Sequence, residues 1–268
     1  MSAPPLAVLL DAGGVLLMPN PWAVAAVLRA AGGSLDPDVV PRAHYAGVAA
    51  MDARKDWKRS SRLRRPRPVE WKHYYRVLAR FADVPRDGVG DAIAGLAGLF
   101  ESPVPATWNV VPLGVADQLR DLAATGVAIG VVSNADGSVE ATLRRCGIPI
   151  DVVIDSTVVG FAKPQPEIFA LALERLGIAA ADAVHVGDTA AADVDGAHAA
   201  GVRPLHLDPF GDCPYPAGHH EHVRSLGDVV DLVAVVDLAA PVVDLAAPVV
   251  DLVAPVVDLD APGVATPL

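Results

Sequence analysis

Residues 6 to 17 read LAVLLDAGGVLL, an apolar run that ends on Asp11 and passes into Gly13 and Gly14. A short, near-continuous apolar segment of this kind fits a strand buried on both faces of a parallel sheet. The two glycines after it let the backbone turn closely and leave amides for an anion. Similar Val-rich or Leu-rich runs occur at 127 to 132, 151 to 154, 183 to 187 and 203 to 207. Helical patterns at 115 to 125, 138 to 146, 166 to 176 and 190 to 200 alternate with them. That alternation predicts an α/β fold, a doubly wound parallel, Rossmann-like sheet with right-handed crossovers. Ligands bind such sheets at the carboxyl ends of the strands, where Asp11, Ser133 and Asp188 fall.

Residues 20 to 106 break the alternation, with helical patterns near 21 to 31, 37 to 52, 69 to 82 and 88 to 100 and no convincing strand. They read as an inserted helical unit, so the α/β core comprises 1 to 19 and 107 to 234. Beyond it, residues 235 to 262 are four copies of Val-Val-Asp-Leu-x-Ala-Pro. A proline in every copy removes a backbone donor and clashes with the preceding turn. Residues 235 to 268 are therefore expected to be a low-complexity, disordered tail.

The net charge of −11 argues against nucleic acid as a partner. Eleven of the 21 Lys and Arg nevertheless fall between residues 51 and 80, against three acids. This patch suits a small anionic ligand, if its inner face meets the site, as well as it suits a solvated outer surface. No run reaches the roughly 20 apolar residues of a membrane span, and no basic region precedes the first strand. No membrane partner is expected, and Cys146 and Cys213 show no metal-type spacing, so a reducing, cytoplasmic setting is expected. His219, His220 and His222, set among Pro214, Pro216 and Gly218, read as an exposed loop in which no cysteine completes a metal site.

Four signals occur in one order: Asp11 after the first strand, Ser133-Asn134 after the second, Lys163-Pro164 before a helix, and Gly187-Asp188 followed by Asp193. Over residues 6 to 234 they resemble the haloacid dehalogenase (HAD) superfamily, of subfamily IA-like form with an all-helical C1 cap. The resemblance implies a Mg2+-dependent hydrolase of a small phosphorylated metabolite. Asp11 is the implied nucleophile, forming an aspartyl phosphate. Asp11, Asp188 and the backbone carbonyl of Gly13 are the implied metal ligands, and Asp193 orients the site or pairs with the lysine. Lys163 is implied to offset phosphoryl charge, and Ser133 and Asn134 to hold phosphate oxygens.

One position departs from the pattern. In the family's phosphatases a second Asp, two residues after the nucleophile, protonates the leaving oxygen; here Gly13 stands in its place. Loss of a general acid typically costs about 10²- to 10⁴-fold in rate. The open alternatives are a substrate with a good leaving group, an acid supplied by the cap (His44, His73 and Glu70 have the chemistry), or a low-turnover phosphate-binding or regulatory protein. Haloacid dehalogenation is disfavoured by the retained Asp188 and Asp193. A phosphonatase-like C–P hydrolase would need Lys55 or Lys58 as a Schiff base. Sequence does not set the oligomeric state.

Overall fold

The computed structural model describes residues 6–53, 68–101, 107–216 and 218–234, without the side chains of 68–70. The repeat tail, Lys55, Lys58, the greater part of the basic segment and the Glu70 side chain lie outside the described residues.

Six strands form one sheet in the order β5-β4-β1-β6-β7-β8, every pair parallel. They are β1 (Ala7–Leu10), β4 (Ala128–Ser133), β5 (Val152–Asp155), β6 (Ala183–Gly187), β7 (Arg203–Leu207) and β8 (Glu221–Val223). All four residues of β1 are fully buried, as the apolar run predicts for a strand hydrogen-bonded on both sides. One sheet face packs Leu9, Val132 and Ile154 against α8 (Pro166–Leu176) through Ile168, Phe169 and Leu173. The other packs Val8, Leu10 and Val131 with Leu122 of α5 (Val115–Ala124) and Val229 of α10 (Leu226–Ala234). The remaining helices of this part are α6 (Val139–Arg145), α7 (Ser156–Val159) and α9 (Asp195–Ala199).

Between the first and second sheet strands stand α1 (Pro21–Ala30), α2 (Val40–Asp52), α3 (Pro68–Phe81) and α4 (Val89–Phe100), with an apolar cluster of their own around Leu28, Val48, Tyr74, Leu78 and Leu96. Asn20 starts α1 by accepting from the Ala23 amide at 3.1 Å, and Pro21 takes the first helical position, where no amide donor is required. Trp71, Tyr74, Tyr75 and Phe100 make edge, tilted and stacked ring contacts at centroid separations of 5.2 to 6.1 Å. Trp71, Tyr74 and Tyr75, the described aromatic residues at 71 to 75 in the basic segment, thus pack between helices.

Two local expectations need correction, and one strand pairing is additional to them. A two-stranded antiparallel sheet, β2 (Met18–Pro19) with β3 (Trp108–Val110), ties the two ends of the insert together. Residues 190 to 200 are not one α-helix but a π-turn at Ala190–Val194 followed by α9. The histidine segment is not an isolated loop, because His222 lies in β8 opposite His206 of β7, and the intervening chain returns Cys213 to them.

Candidate active site

Asp11, Ser133 and Asp188 follow or end β1, β4 and β6, three adjacent strands at the point where the chain switches from one side of β1 to the other. They line one cleft of about 650 Å³ together with Gly13, Asn134, Lys163, His44, Trp71, Phe100 and Trp108. The volume is that of an ordinary small-molecule site.

Gly14 makes the turn after Asp11 possible. Its φ is +76°, and a Cβ there would lie 2.0 Å from an Asp188 oxygen. Gly187 serves the same end under Asp188, since a Cβ would meet Asp193 Cγ at 2.1 Å. Gly13 is under no such constraint: a Cβ would rest 3.5 Å from the Trp108 ring, an ordinary contact. The backbone therefore does not impose the missing side chain at position 13; the Trp108 ring packs over it instead.

Lys163 is buried between two carboxylates, with Nζ 2.9 Å from Asp11 Oδ1 and 2.6 Å from Asp193 Oδ1. Asn134 fixes the lysine's backbone, accepting from its amide at 2.7 Å and donating to its carbonyl at 2.9 Å. The Asn134 side chain is thus spent on Lys163, while Ser133 and Asn134 both line the cleft. Asp193 also accepts from His185 Nε2 at 2.9 Å and from the Thr189 amide at 3.0 Å. Burial acts to raise its pKa, but Lys163 and His185 outweigh burial and hold the carboxyl well below the ordinary range. Burial likewise acts to lower Lys163, yet Asp11 and Asp193 keep it above its usual value. Asp193 is therefore a fixed anion behind the lysine.

Asp11 is in a different state. Burial, with Asp193 and Asp188 adding to it, pushes its pKa from 3.8 up to about 7 against the pull of Lys163. One lysine does not neutralise three clustered carboxylates. Oxygen atoms of Asp11, Asp188 and Asp193 lie within 4.8 Å of one another, a hard-oxygen donor set that fits a small divalent cation. With Asp193 committed to Lys163, Asp11 and Asp188 are the residues able to hold such an ion.

Two residues of α2 join the site. His44 Nε2 is 3.0 Å from Asp188 Oδ2, and its Nδ1 is 3.0 Å from the Tyr74 hydroxyl. A carboxylate only accepts, so Nε2 carries a proton and Nδ1 accepts from the Tyr74 hydroxyl. Among the described residues, His44 is the one titratable side chain of the insert that lines the cleft. Asp52, at the end of α2, accepts from the Ala190 amide at 2.7 Å and caps the π-turn; burial raises its pKa to about 7. Sequence reasoning passed over Asp52 as one acid in a basic stretch. Its only signal was a carboxylate at the end of a helix that is otherwise apolar on one side.

The parallel, Rossmann-like sheet brings carboxylates, a lysine and a hydroxyl together at its strand ends beneath the helical insert, the arrangement of an enzyme with a carboxylate-centred site. A family model described as haloacid dehalogenase-like hydrolase matches residues 108–201. Ribulose-1,5-bisphosphate 5-phosphatase of Halopiger xanaduensis is 31% identical over 174 residues, 60% of this chain and 71% of that protein. Haloacid dehalogenase-like hydrolase domain-containing protein 3 of Mus musculus is 30% identical over 179 residues, 64% of this chain and 70% of that protein. Phospholysine phosphohistidine inorganic pyrophosphate phosphatase of Rattus norvegicus is 35% identical over 109 residues, 41% of this chain but only 37% of that protein. The crystal structure of a HAD family hydrolase from Deinococcus radiodurans shares the fold, with TM-score 0.54, 23% identity and coverage of 90% of this chain and 100% of that one. The chain belongs to the haloacid dehalogenase-like hydrolases, and it is a hydrolase of the phosphatase type.

Proposed function

We propose that the protein hydrolyses a small phosphorylated metabolite in a Mg2+-dependent reaction, through an aspartyl phosphate on Asp11. The observation that carries the reading is the Lys163 ammonium held between Asp11 and Asp193, in a cleft that also contains Ser133 and Asp188. Asp11 attacks the phosphoryl group in line; the P–O bond to the leaving group breaks, and water later hydrolyses the acyl phosphate. Lys163, Ser133 and the Asn134 amide hold the equatorial oxygens, where charge accumulates. Asp11, Asp188 and the Gly13 carbonyl would hold Mg2+, whose positive charge would let Asp11 ionise beside a second carboxylate and a phosphate. The helical insert, residues 20 to 106, serves as the cap that shields this chemistry from water.

His44 takes the place of the acid that Gly13 lacks. Its Nε2 proton sits against Asp188 on the cap side of the cleft, in the position from which a leaving oxygen would be protonated. A low-turnover phosphate-binding role is the second reading, and Gly13 beneath Trp108 is the observation in its favour.

The test is magnesium-dependent phosphate release from an acyl phosphate, an activated aryl phosphate and a sugar phosphate by the native protein, Asp11→Asn, Gly13→Asp and His44→Asn. Release that Asp11→Asn abolishes supports catalysis on Asp11. No release above the Asp11→Asn background from any of the three leaves the binding reading.

A further inference from the structure

Away from the cleft, the chain after β7 gathers four nitrogen and sulfur donors. One ligand atom from each of His206, Cys213, His220 and His222 lies within 4.8 Å of the others, and none of the four lines the cleft around Asp11. Strand pairing supplies two of them. His206 and His222 are register partners in the parallel β7–β8 pair, with ring centroids 5.2 Å apart. The connecting loop supplies the others. Asp208 accepts from the Asp212 and Cys213 amides at 2.9 and 3.0 Å, which turns the chain back so that Cys213 Sγ lies 3.5 Å from His220 Nε2. His220 Nε2 in turn is 2.8 Å from His206 Nδ1.

The orientation of His206 separates this cluster from a chance crowd of polar side chains. The ring is buried, and its Nε2 is 3.0 Å from the Asp188 backbone carbonyl. A carbonyl only accepts, so the proton is on Nε2 and the Nδ1 lone pair faces His220 and Cys213. An imidazole whose second nitrogen donates to a backbone carbonyl is the usual arrangement of a metal-binding histidine. Bond lengths of about 2.0–2.1 Å to nitrogen and about 2.3 Å to sulfur in a tetrahedron put neighbouring donor atoms roughly 3.3–3.6 Å apart. The separations of 2.8 and 3.5 Å and the overall limit of 4.8 Å bracket that spacing.

We propose that His206, Cys213, His220 and His222 form a structural zinc site that fastens the connection between β7 and β8 to the sheet edge. Three imidazoles and one thiolate are a donor set for zinc, whereas magnesium selects the oxygen cluster at Asp11. Four protein ligands leave no open position for an activated water, so the ion is structural. The fastened loop also contacts α2, where Asp212 pairs with Arg42 and Phe210 packs on Tyr45 at 5.8 Å. Through His206 it braces the carbonyl of Asp188. The zinc site stands independently of the phosphatase reading.

Cobalt and zinc titration of the chelator-stripped full chain tests it by absorption spectroscopy. One equivalent of Co2+ is expected to give tetrahedral ligand-field bands and a thiolate-to-cobalt charge-transfer band, both displaced by one equivalent of Zn2+. Cys213→Ser is expected to lose the charge-transfer band, and His220→Ala to bind Zn2+ at least about tenfold more weakly. Cys146→Ser and Asp11→Asn are expected to keep the band. A wild-type protein without the charge-transfer band overturns the proposal whatever the variants do. So does a band that survives Cys213→Ser, or one that disappears in Asp11→Asn.

Discussion

Asp11→Asn tests the electrostatics of the site before any substrate is added. The asparagine keeps an oxygen for the Ala12 amide, which donates to Asp11 Oδ1 at 2.7 Å, and for Lys163 at 2.9 Å. It removes the charge and puts an NH2 donor in place of the second oxygen. The Asp11 carboxyl titrates at 3.8 in the absence of its surroundings and at about 7 in the folded protein. Its proton is therefore bound more tightly in the folded state, and stability falls as pH rises between the two values. At about 1.4 kcal/mol per pH decade, the charged form costs the metal-free fold up to about 4 kcal/mol at pH 8. In EDTA at pH 8, Asp11→Asn should accordingly be the more stable protein. The gap should narrow by about 1.4 kcal/mol for each pH unit below 7 and vanish near pH 4. For a chain of this size each kcal/mol shifts the melting temperature by about 2–4 °C, so thermal unfolding at several pH values resolves it. Saturating Mg2+ should stabilise the wild type and close the gap. An Asn variant equally or less stable at pH 8, or a difference that does not change with pH, would refute the claim that the carboxylates lack a compensating cation.

Mg2+ affinity of the wild type should rise with pH up to about 7 with release of protons, because Asp11 must ionise to bind; calorimetry in buffers of different ionisation enthalpy measures the proton count. Lys163→Met strands two buried carboxylates and should destabilise the fold by about 3–5 kcal/mol at pH 8, with the loss shrinking in acid as Asp11 protonates; urea unfolding at two pH values checks both the size and the sign. Gly14→Ala places a Cβ against Asp188 and should abolish Mg2+ binding while the far-ultraviolet spectrum stays native. His44→Asn should slow hydrolysis of a sugar phosphate by about 10²- to 10⁴-fold but that of an acyl phosphate far less, because only the poor leaving group needs a proton. Equal losses on both substrates would remove His44 from the proton-donor role.

The sheet was legible because its strands are buried on both faces and carry their signal locally: β1 is four apolar residues with no polar interruption. The convergence of Asp11, Ser133 and Asp188 followed from the carboxyl ends of adjacent central strands meeting, with Lys163 brought to them by the loop before α8. What stayed hidden depends on pairings between distant residues. β2 and β3 are two and three residues long and about 90 positions apart, too short for any periodicity to register. His44 sits on the apolar face of α2, so its contact with Asp188 exists only once the helix is docked. The His/Cys cluster was hidden for the same reason. His206 reads as one residue of a strand, and only the β7–β8 register sets it opposite His222. Gly13 was visible at once, but the Trp108 ring above it comes from beyond the helical insert.

The central claim is that Asp11 is a nucleophile activated in a metal-centred phosphoryl site. Its most direct test is the initial rate of phosphate release from an acyl phosphate, with and without Mg2+, for the wild type and Asp11→Asn. Release by the wild type is expected to depend on Mg2+ and to fall to background in Asp11→Asn. Release that persists in Asp11→Asn at the wild-type rate would contradict it.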